Sequence, residues 1–172
     1  MSEHETKGYK REEIAIGFID ESSPQSTANT VRVWSFDDAK PHIKNTTRMK
    51  ANAMGFYPIV GEGVISFPEN SKIESFNEFL RAIRAVNNDY KAINVVLDNF
   101  STHVSKRVKK EGEQLGMYLV YLPPYSPDLN PIEFIWKSIK RVISIVFVEN
   151  VEALRKNNRK DILQTCRELI IC

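Results

Sequence analysis

The chain of 172 residues is 42% hydrophobic and 27% charged with a net charge of +2, a composition typical of one globular domain with a substantial core and not of a disordered protein. No apolar run approaches the roughly 18 residues of a membrane span, and the polar, charged first residues lack the pattern of a signal peptide. The two cysteines, Cys166 and Cys172, have no metal-binding spacing, so a disulfide framework is not expected and a reducing cytoplasm fits best.

The first half of the chain has the patterns of β structure after a predicted flexible tail over residues 1–12. Glu13–Ile19 predicts a strand that ends at Asp20, and Thr30–Phe36 alternates apolar and polar residues as a half-buried strand does. Ala53–Phe67 contains two extended pieces, which a turn at its central glycines would join.

The second half alternates helices and strands. A helical stripe over Ser75–Val86 is followed by Ile93–Leu97, an apolar run typical of a strand buried on both faces. The later predicted elements are a helix over Val104–Leu115, a strand over Met117–Leu122, a Pro-rich loop over Pro123–Pro131, a helix from Ile132 and a helix over Val151–Ile170. This order predicts an α/β domain with a mixed sheet, antiparallel at the front and parallel later, flanked by helices.

Three carboxylates stand at places where this fold would bring them together. Asp98 and Asp20 each follow a predicted strand, and open α/β sheets bind ligands at such strand ends. Glu133 lies in the first turn of a predicted helix, where the helix dipole favours a negative charge. Each residue alone has an ordinary alternative, because a strand-end Asp can cap a turn and an N-terminal Glu can simply complement the dipole.

Converging carboxylates without a cluster of His or Cys suit a hard cation, Mg²⁺ or Mn²⁺. Two such ions about 4 Å apart would activate a water or a 3′-hydroxyl and stabilise the leaving oxygen of a phosphodiester. The sequence thus predicts a metal site, with two ions expected, at Asp20, Asp98 and Glu133.

Two stretches carry a resemblance to a known family. Val95–His103 (VVLDNFSTH) and Tyr121–Trp136 (YLPPYSPDLNPIEFIW) resemble the signature blocks of DDE transposases of the mariner-like superfamily, in its prokaryotic insertion-sequence branch. In that family a DN-x-x-x-H block carries the second Asp, and a PPYSP-x-LNP-x-E-x-x-W block carries the final Glu. Here 34 residues separate Asp98 from Glu133, as is typical of the group, and Phe18–Ser22 (FIDES) resembles the first block.

The resemblance implies an RNase H-like fold over residues 13–148, Mg²⁺ dependence, DNA strand cleavage at transposon ends, and strand transfer into target DNA, commonly at TA. It assigns the metal-ligand roles to Asp20, Asp98 and Glu133. Glu21 competes with Asp20 for the first role, but on an alternating strand the two point to opposite faces, and the family pattern favours Asp20.

Residues beside the triad belong to the same blocks. Asn99, His103 and Asn130 are interpreted as supporting residues, with Asn99 and His103 contacting a carboxylate, water or phosphate and Asn130 holding the Pro-rich loop. The alternatives are that Asn99 shapes a turn and that His103 caps the next helix or faces solvent. Trp136 and Trp34 are expected in the core.

Residues 99–172 contain 12 Lys or Arg against 8 Asp or Glu, whereas residues 1–98 contain 12 against 14. Lys137, Lys140 and Arg141 follow Glu133 along one helix and could guide a DNA backbone toward it. Lys106 begins a second basic run that could also contact DNA. Ordinary solvated charges are the alternative for both groups.

The expected partner is DNA, as transposon ends and as target, in a prokaryotic cytoplasm near the nucleoid, with no membrane and no organic cofactor. The predicted helix over residues 149–172 would pack on its own domain or in a homodimer. Full-length relatives carry helix-turn-helix modules before the catalytic domain, for which residues 1–12 leave no room. Two alternatives stay open, namely a truncated, inactive remnant that binds DNA or dimerises, and another RNase H-like nuclease.

Overall fold

The computed structural model describes residues 9–26, 49–124, 126, 129–143 and 149–156. The predicted strand Thr30–Phe36, with Trp34, lies outside the described residues, as does the C-terminal part of the predicted last helix. The tail over residues 1–8 and both cysteines also lie outside them.

A mixed five-stranded sheet forms the centre of the molecule. Its strands are β1 (Ile14–Ser22), β2 (Ala53–Val60), β3 (Val64–Ser66), β4 (Ala92–Leu97) and β5 (Met117–Tyr121), in the spatial order β3-β2-β1-β4-β5. The pairs β1–β2 and β2–β3 are antiparallel, whereas β1–β4 and β4–β5 are parallel. The predicted sheet, with an antiparallel front and parallel later strands, is confirmed.

The first strand is longer than predicted. Its parallel pairing with β4 ends at Phe18↔Val96, but its antiparallel pairing with β2 continues to Ser22↔Ala53. Asp20 is therefore still within a strand and not at its end. The hydrogen bonds to β2 keep β1 extended beyond Phe18, where its pairing with β4 has ended. The gap that opens there between β1 and β4 leaves room for a site.

The helices are α1 (Ile73–Val86), α2 (Lys106–Gln114) and α3 (Ile132–Ile143). Helix α2 begins later than predicted because Ser105 is its N-cap, with the Ser105 hydroxyl accepting a hydrogen bond from the Val108 amide at 3.3 Å. Residues 101–104 form turns instead. Within the described ranges, no helix combines the length and the apolar character needed to cross a membrane.

The core lies on both faces of the sheet. One cluster packs α1 and α2 on the sheet and contains four of the five residues of the stripe that the sequence predicts on α1, namely Phe76, Phe79, Leu80 and Ile83. The fifth, Val86, is exposed at the end of the helix. The other cluster packs α3 on the opposite face and includes Trp136, whose predicted place in the core is confirmed. Leu154, in the helical residues 151–156, is buried in this second cluster. This part of the predicted C-terminal helix therefore packs on its own domain.

Candidate active site

Asp20, Asp98 and Glu133 line one cleft of about 340 Å³ at the carboxyl end of β4, together with Asn99 and Asn130. The sequence predicts that the two aspartates meet if their strands are neighbours, and the pairing of β1 with β4 confirms that arrangement. Asp20 and Asp98 each lie two residues beyond the last parallel pair, Phe18↔Val96, so they face each other where the strands separate.

Glu133 reaches the cleft because α3 packs closely on a glycine. Gly55 on β2 pairs directly with Asp20. A Cβ atom at Gly55 would lie 3.1 Å from the Trp136 ring and 3.2 Å from Ile132 Cδ1, so the helix approaches the strand as closely as this backbone allows. The missing side chain brings the first turn of α3, with Glu133, next to Asp20.

We expect Gly55→Val to separate the two carboxylates. The added side chain must push Ile132 and Trp136 away, which costs about 1 to 3 kcal/mol of unfolding free energy in a packed core. The displacement of Glu133 should reduce the DNA cleavage that the sequence resemblance implies about 100-fold. Thermal unfolding and a cleavage assay measure the two effects. Gly63→Val is the matched control, because a Cβ atom there has no contact closer than 3.4 Å. Equal effects of both variants would contradict the packing argument.

Asp20 is the carboxylate with the most unfavourable electrostatic surroundings. Its burial, together with the negative charges of Glu133 and Asp98, raises its pKa to about 7, although the Glu21 amide and the Trp136 indole oppose this shift. The Glu21 amide donates a 2.8 Å hydrogen bond to Asp20 Oδ1. A cation in the cleft would relieve the repulsion that raises this pKa.

Asp98 is held by a histidine. His103 Nδ1 lies 2.6 Å from Asp98 Oδ1, and its Nε2 lies 3.4 Å from Glu21 Oε1. Ionised carboxylates only accept hydrogen bonds, so both ring nitrogens donate and the imidazole is a cation. Burial alone lowers the pKa of His103, but the hydrogen bonds to Asp98 and Glu21 outweigh it and raise the pKa to about 9.

The effect on the two acidic partners is reciprocal. The hydrogen bond from His103 holds the pKa of Asp98 below its usual value. Burial alone would raise the pKa of Glu21, but hydrogen bonds from His103 and Ser71 keep it below its usual value. Asp98, Glu21 and His103 thus form a charge-paired group that reaches the cleft through Asp98.

His103 is buried, with 2% of its surface exposed, so the alternative in which it faces solvent is wrong. Its ring packs on Phe76 at a centroid distance of 4.3 Å, and Phe100 contacts it edge-on at 5.6 Å. The His103 amide donates to the Phe100 carbonyl at 2.9 Å, and the Tyr121 hydroxyl donates to the His103 carbonyl at 2.9 Å. The ring orientation is therefore fixed by packing as well as by its charged partners.

Asn99 and Asn130 support the cleft in different ways. The Asn99 side-chain amide donates to the Leu122 carbonyl, which ties the Asp98 turn to the end of β5 and supports the interpretation that Asn99 shapes the backbone. Asn130 is buried, and its carbonyl accepts from the Glu133 amide at 3.2 Å at the start of α3. Its Oδ1 has no hydrogen-bond partner among the described residues although it is buried.

The donor set fits a hard divalent cation. Both protein hydrogen bonds to Asp98 fall on Oδ1, from His103 and from the Phe100 amide at 3.2 Å. The Asp98 Oδ2 atom and the Glu133 carboxylate have no hydrogen bond to the described residues, and all three carboxylates line the cleft. In the described part of the chain, no three His, Cys, Asp or Glu side chains are close enough to form a ready metal cage. The three carboxylates thus line one cleft, but they are not close enough together to surround a single ion.

The predicted DNA-contacting residues are in part described. Lys137 and Lys140 are exposed on α3, the helix of Glu133, and Lys106 is exposed at the start of α2. None of these three lysines has an ion pair within the described residues, whereas Arg107 in the second basic run pairs with Glu74 at 3.5 Å. Arg141 lies in α3, but its side chain is outside the described residues.

Two residues near the site were not assigned roles from the sequence. The sequence suggests Glu21 only as a competing metal ligand, yet its carboxylate contacts His103. The signal was present in the alternation of β1, which predicts opposite faces for Asp20 and Glu21. Phe100 lines the cleft and is 49% exposed, and its only sequence signal is its place inside the DN-x-x-x-H block.

The chain is similar to known proteins in sequence and in fold. Residues 15–155 match the family model of the DDE superfamily endonucleases. The Tcb2 transposase of a transposable element from Caenorhabditis briggsae is 37% identical over 67 residues, which cover 39% of this chain and 23% of the relative. The prokaryotic insertion-sequence branch, which the sequence analysis expected, has no support among these relatives.

Solved structures share the fold. The mariner Mos1 paired-end complex with Mg superposes with a TM-score of 0.67 at 17% identity, covering 86% of this chain and 48% of that one. The catalytic domain of Mos1 mariner transposase gives a TM-score of 0.56 at 15% identity, covering 91% of this chain and 78% of that one. The chain thus spans about half of the longer Mos1 chain. The predicted RNase H-like fold is confirmed, and, with the family model matching most of its length, the chain belongs to the DDE superfamily endonucleases.

Proposed function

We propose that the chain is the catalytic domain of a mariner/Tc1-type transposase, which cuts DNA strands and joins the resulting 3′ ends to target DNA with the help of Mg²⁺ or Mn²⁺. The observation that carries the proposal is the shared cleft of Asp20, Asp98 and Glu133 in a DDE-family fold. The relative from Caenorhabditis briggsae is a transposase, and the similar Mos1 structures are a mariner paired-end complex with Mg and a transposase catalytic domain.

The proposed roles follow from the surroundings of each residue. Asp98 Oδ2, Glu133 and the ionised Asp20 would hold the metal, with two ions expected. Bound Mg²⁺ or Mn²⁺ activates the attacking oxygen and stabilises the leaving oxygen of a phosphodiester. In strand cleavage, a water oxygen bonds to phosphorus and the bond to the 3′-oxygen breaks, which leaves a 3′-hydroxyl and a 5′-phosphate. In strand transfer, that 3′-hydroxyl attacks a target phosphodiester and displaces its 3′-oxygen.

The DNA path is proposed from charge. Lys137, Lys140 and Arg141 on α3 lead away from Glu133, and a phosphate backbone along this helix would bring a scissile phosphate to the cleft. Lys106 is proposed to contact the same DNA from α2. Transposon ends as one substrate, TA as the preferred target, a homodimer as the assembly and the cytoplasm as the location remain parts of the proposal.

Two other functions are alternatives to the proposed transposase activity. Because the chain covers about half of the Mos1 transposase chain, a domain that binds DNA or dimerises without cutting is the second candidate. A related nuclease that nicks DNA without joining strands is the third. The presence of all three carboxylates in one cleft favours retained chemistry over the second candidate.

The test uses the chain, a TA-containing supercoiled plasmid and a short duplex with a free 3′-hydroxyl, in Mn²⁺ and then in Mg²⁺. We expect nicked plasmid and plasmid joined to the duplex, and no product in EDTA. Glu133→Gln is the control, because its carboxylate has no partner among the described residues and its loss should leave the fold intact.

Each candidate predicts a different result. Equal, negligible cutting by wild type and Glu133→Gln would contradict catalysis by this chain, and a gel shift with the same duplex would then support the DNA-binding candidate. Nicked plasmid without joined product would favour the nuclease. Sequencing of the joined products tests the preference for TA.

A further inference from the structure

A buried ion pair outside the cleft reaches one of its carboxylates. Glu21 lies on β1 directly after Asp20, but it contacts His103, which in turn contacts Asp98. The charges alternate from Glu21 through the imidazolium to Asp98. A buried imidazolium is costly unless its charge is paired, and here His103 has a carboxylate beside each ring nitrogen.

His103 is the most rigidly held of these three residues. Phe76 covers one face of its ring and Phe100 meets it edge-on, while the backbone of residue 103 is tied by hydrogen bonds on both sides. The Asp98 side chain, by contrast, is 51% exposed and lies after the end of β4. A half-exposed carboxylate at a strand end has several rotamers open to it, and a 2.6 Å charge-assisted hydrogen bond selects one of them.

The orientation matters because it divides the two oxygens of Asp98. Oδ1 accepts from His103 and from the Phe100 amide, so Oδ2 is the oxygen without a hydrogen bond to the described residues. A ring rotated about its Cβ–Cγ bond would lose Asp98. The contact of Nε2 with Glu21 on the opposite side of the ring opposes this rotation.

We propose that Glu21 is a positioning residue that acts through His103 to fix the Asp98 carboxylate, and that it is not itself a metal ligand. The inference rests on the proposed function for the role of Asp98, but the geometry of the three residues stands without it. It gives separate tasks to the two acidic residues of the Asp20-Glu21 pair, one on each face of the sheet. Outer partners of this kind typically change metal affinity by about 10- to 100-fold when removed.

The test measures Mn²⁺ binding by calorimetry on the DNA-free chain, well below the unfolding temperature of each variant. We expect Glu21→Ala to weaken Mn²⁺ binding about 10- to 100-fold. Glu21→Gln should lose less than Glu21→Ala, because its side-chain oxygen can still accept from His103 Nε2. The control is Glu111→Ala, which removes the 2.7 Å ion pair with Arg81 between α1 and α2, on the same side of the sheet but away from the cleft.

Two results of the Mn²⁺-binding measurements would overturn the inference. If Glu21→Gln weakens Mn²⁺ binding as much as Asp20→Asn does, Glu21 acts as a ligand. If Glu21→Ala lowers the unfolding temperature but binds Mn²⁺ as the wild type does, its role is only structural. The DNA concentration for half-maximal cleavage should not change, because Glu21 contacts no described lysine or arginine and does not line the cleft.

A metal-free crystal structure of Glu21→Ala separates this inference from the proposed function. We expect the His103 ring to turn and the Asp98 carboxylate to leave its position. Both side chains in their wild-type positions would overturn the inference, whether or not the chain cuts DNA. A wild-type chain that binds no Mn²⁺ would count against the proposed function, and the positions of these two side chains would still decide the positioning role.

Discussion

Replacing Asp20 with Asn is expected to stabilise the metal-free protein while abolishing DNA cleavage. The carboxylate is largely buried beside Glu133 and Asp98, and these surroundings raise its pKa to about 7. Asn has nearly the same shape, and its side-chain oxygen can still accept the 2.8 Å hydrogen bond from the Glu21 amide. Removing the charge therefore removes repulsion without removing packing, which should add about 1 to 2 kcal/mol of unfolding free energy at pH 8.

The pH dependence of that gain has a defined sign. The folded-state pKa of Asp20, about 7, is above its ordinary value of 3.8, so the folded chain binds more protons than the unfolded chain between these values. The stability due to this group is therefore greatest below pH 4 and falls as pH rises toward 7. His103, with its pKa raised to about 9, adds a further loss as pH rises from 6.5 through 9. Subtracting the variant from the wild type isolates the part due to Asp20.

Thermal unfolding in EDTA at pH 5 and pH 8 measures this difference. We expect Asp20→Asn to unfold about 2 to 6 °C higher than wild type at pH 8 and by a smaller margin at pH 5, where only part of the stability due to Asp20 has been lost. The matched control is Asp89→Asn, the same change at an exposed carboxylate, which should have little effect. Added Mn²⁺ should stabilise wild type and not Asp20→Asn. A variant less stable than wild type at pH 8 would contradict the repulsion that we infer.

Catalysis should respond in the opposite direction. Loss of one carboxylate from a metal-binding group that acts as a unit is expected to reduce strand cleavage about 1,000-fold or more. When one substitution makes a protein more stable and less active, the replaced residue serves function at the expense of stability. Stability and cleavage must both be measured to reach this conclusion, because many inactive variants are simply unfolded.

The position of the site could be predicted from the sequence because strand ends are local features. An apolar run that stops at Asp98 and a β pattern that stops near Asp20 are enough to place both residues at one edge, once the strands are neighbours. The end of β1 was predicted too early, since only the pairing of Ser22 with Ala53 on β2 keeps the chain extended. A contact with a residue 31 positions away has no signal in the strand itself.

The environment of His103 could not be predicted for a related reason. Its burial depends on Phe76 from α1 and Tyr121 from β5, which come from distant parts of the sequence. A histidine in a polar turn has the same local pattern whether it faces solvent or links two carboxylates. The close packing of α3 on Gly55 is also a tertiary effect, because a lone glycine in a strand pattern indicates only that something approaches its backbone.

Asp98→Asn is expected to lose cleavage as fully as Asp20→Asn, about 1,000-fold or more, but to change stability with the opposite sign. The hydrogen bond from His103 lowers the pKa of Asp98, so its negative charge stabilises the fold. Without that charge, the buried imidazolium keeps only Glu21, at 3.4 Å, as a charged partner. Because Asp98 is half exposed and screened by solvent, we expect a loss of about 1 kcal/mol and no more.

The stability that depends on the ionised Asp98 is present above its ordinary pKa of 3.8 and is lost as pH falls through its lower folded-state pKa. Wild type and Asp98→Asn should therefore differ most at neutral pH and converge in acid. Thermal unfolding of both aspartate variants in EDTA at pH 7.5 makes the comparison, with each serving as the isosteric control for the other. Equal shifts in the same direction would contradict the division of the cleft into a repelled carboxylate and a paired one. Opposite shifts with equal loss of cleavage would show that Asp20 and Asp98, although both lie just beyond the last parallel pair of β1 and β4 and share one cleft, are held ready for a cation by different physical means.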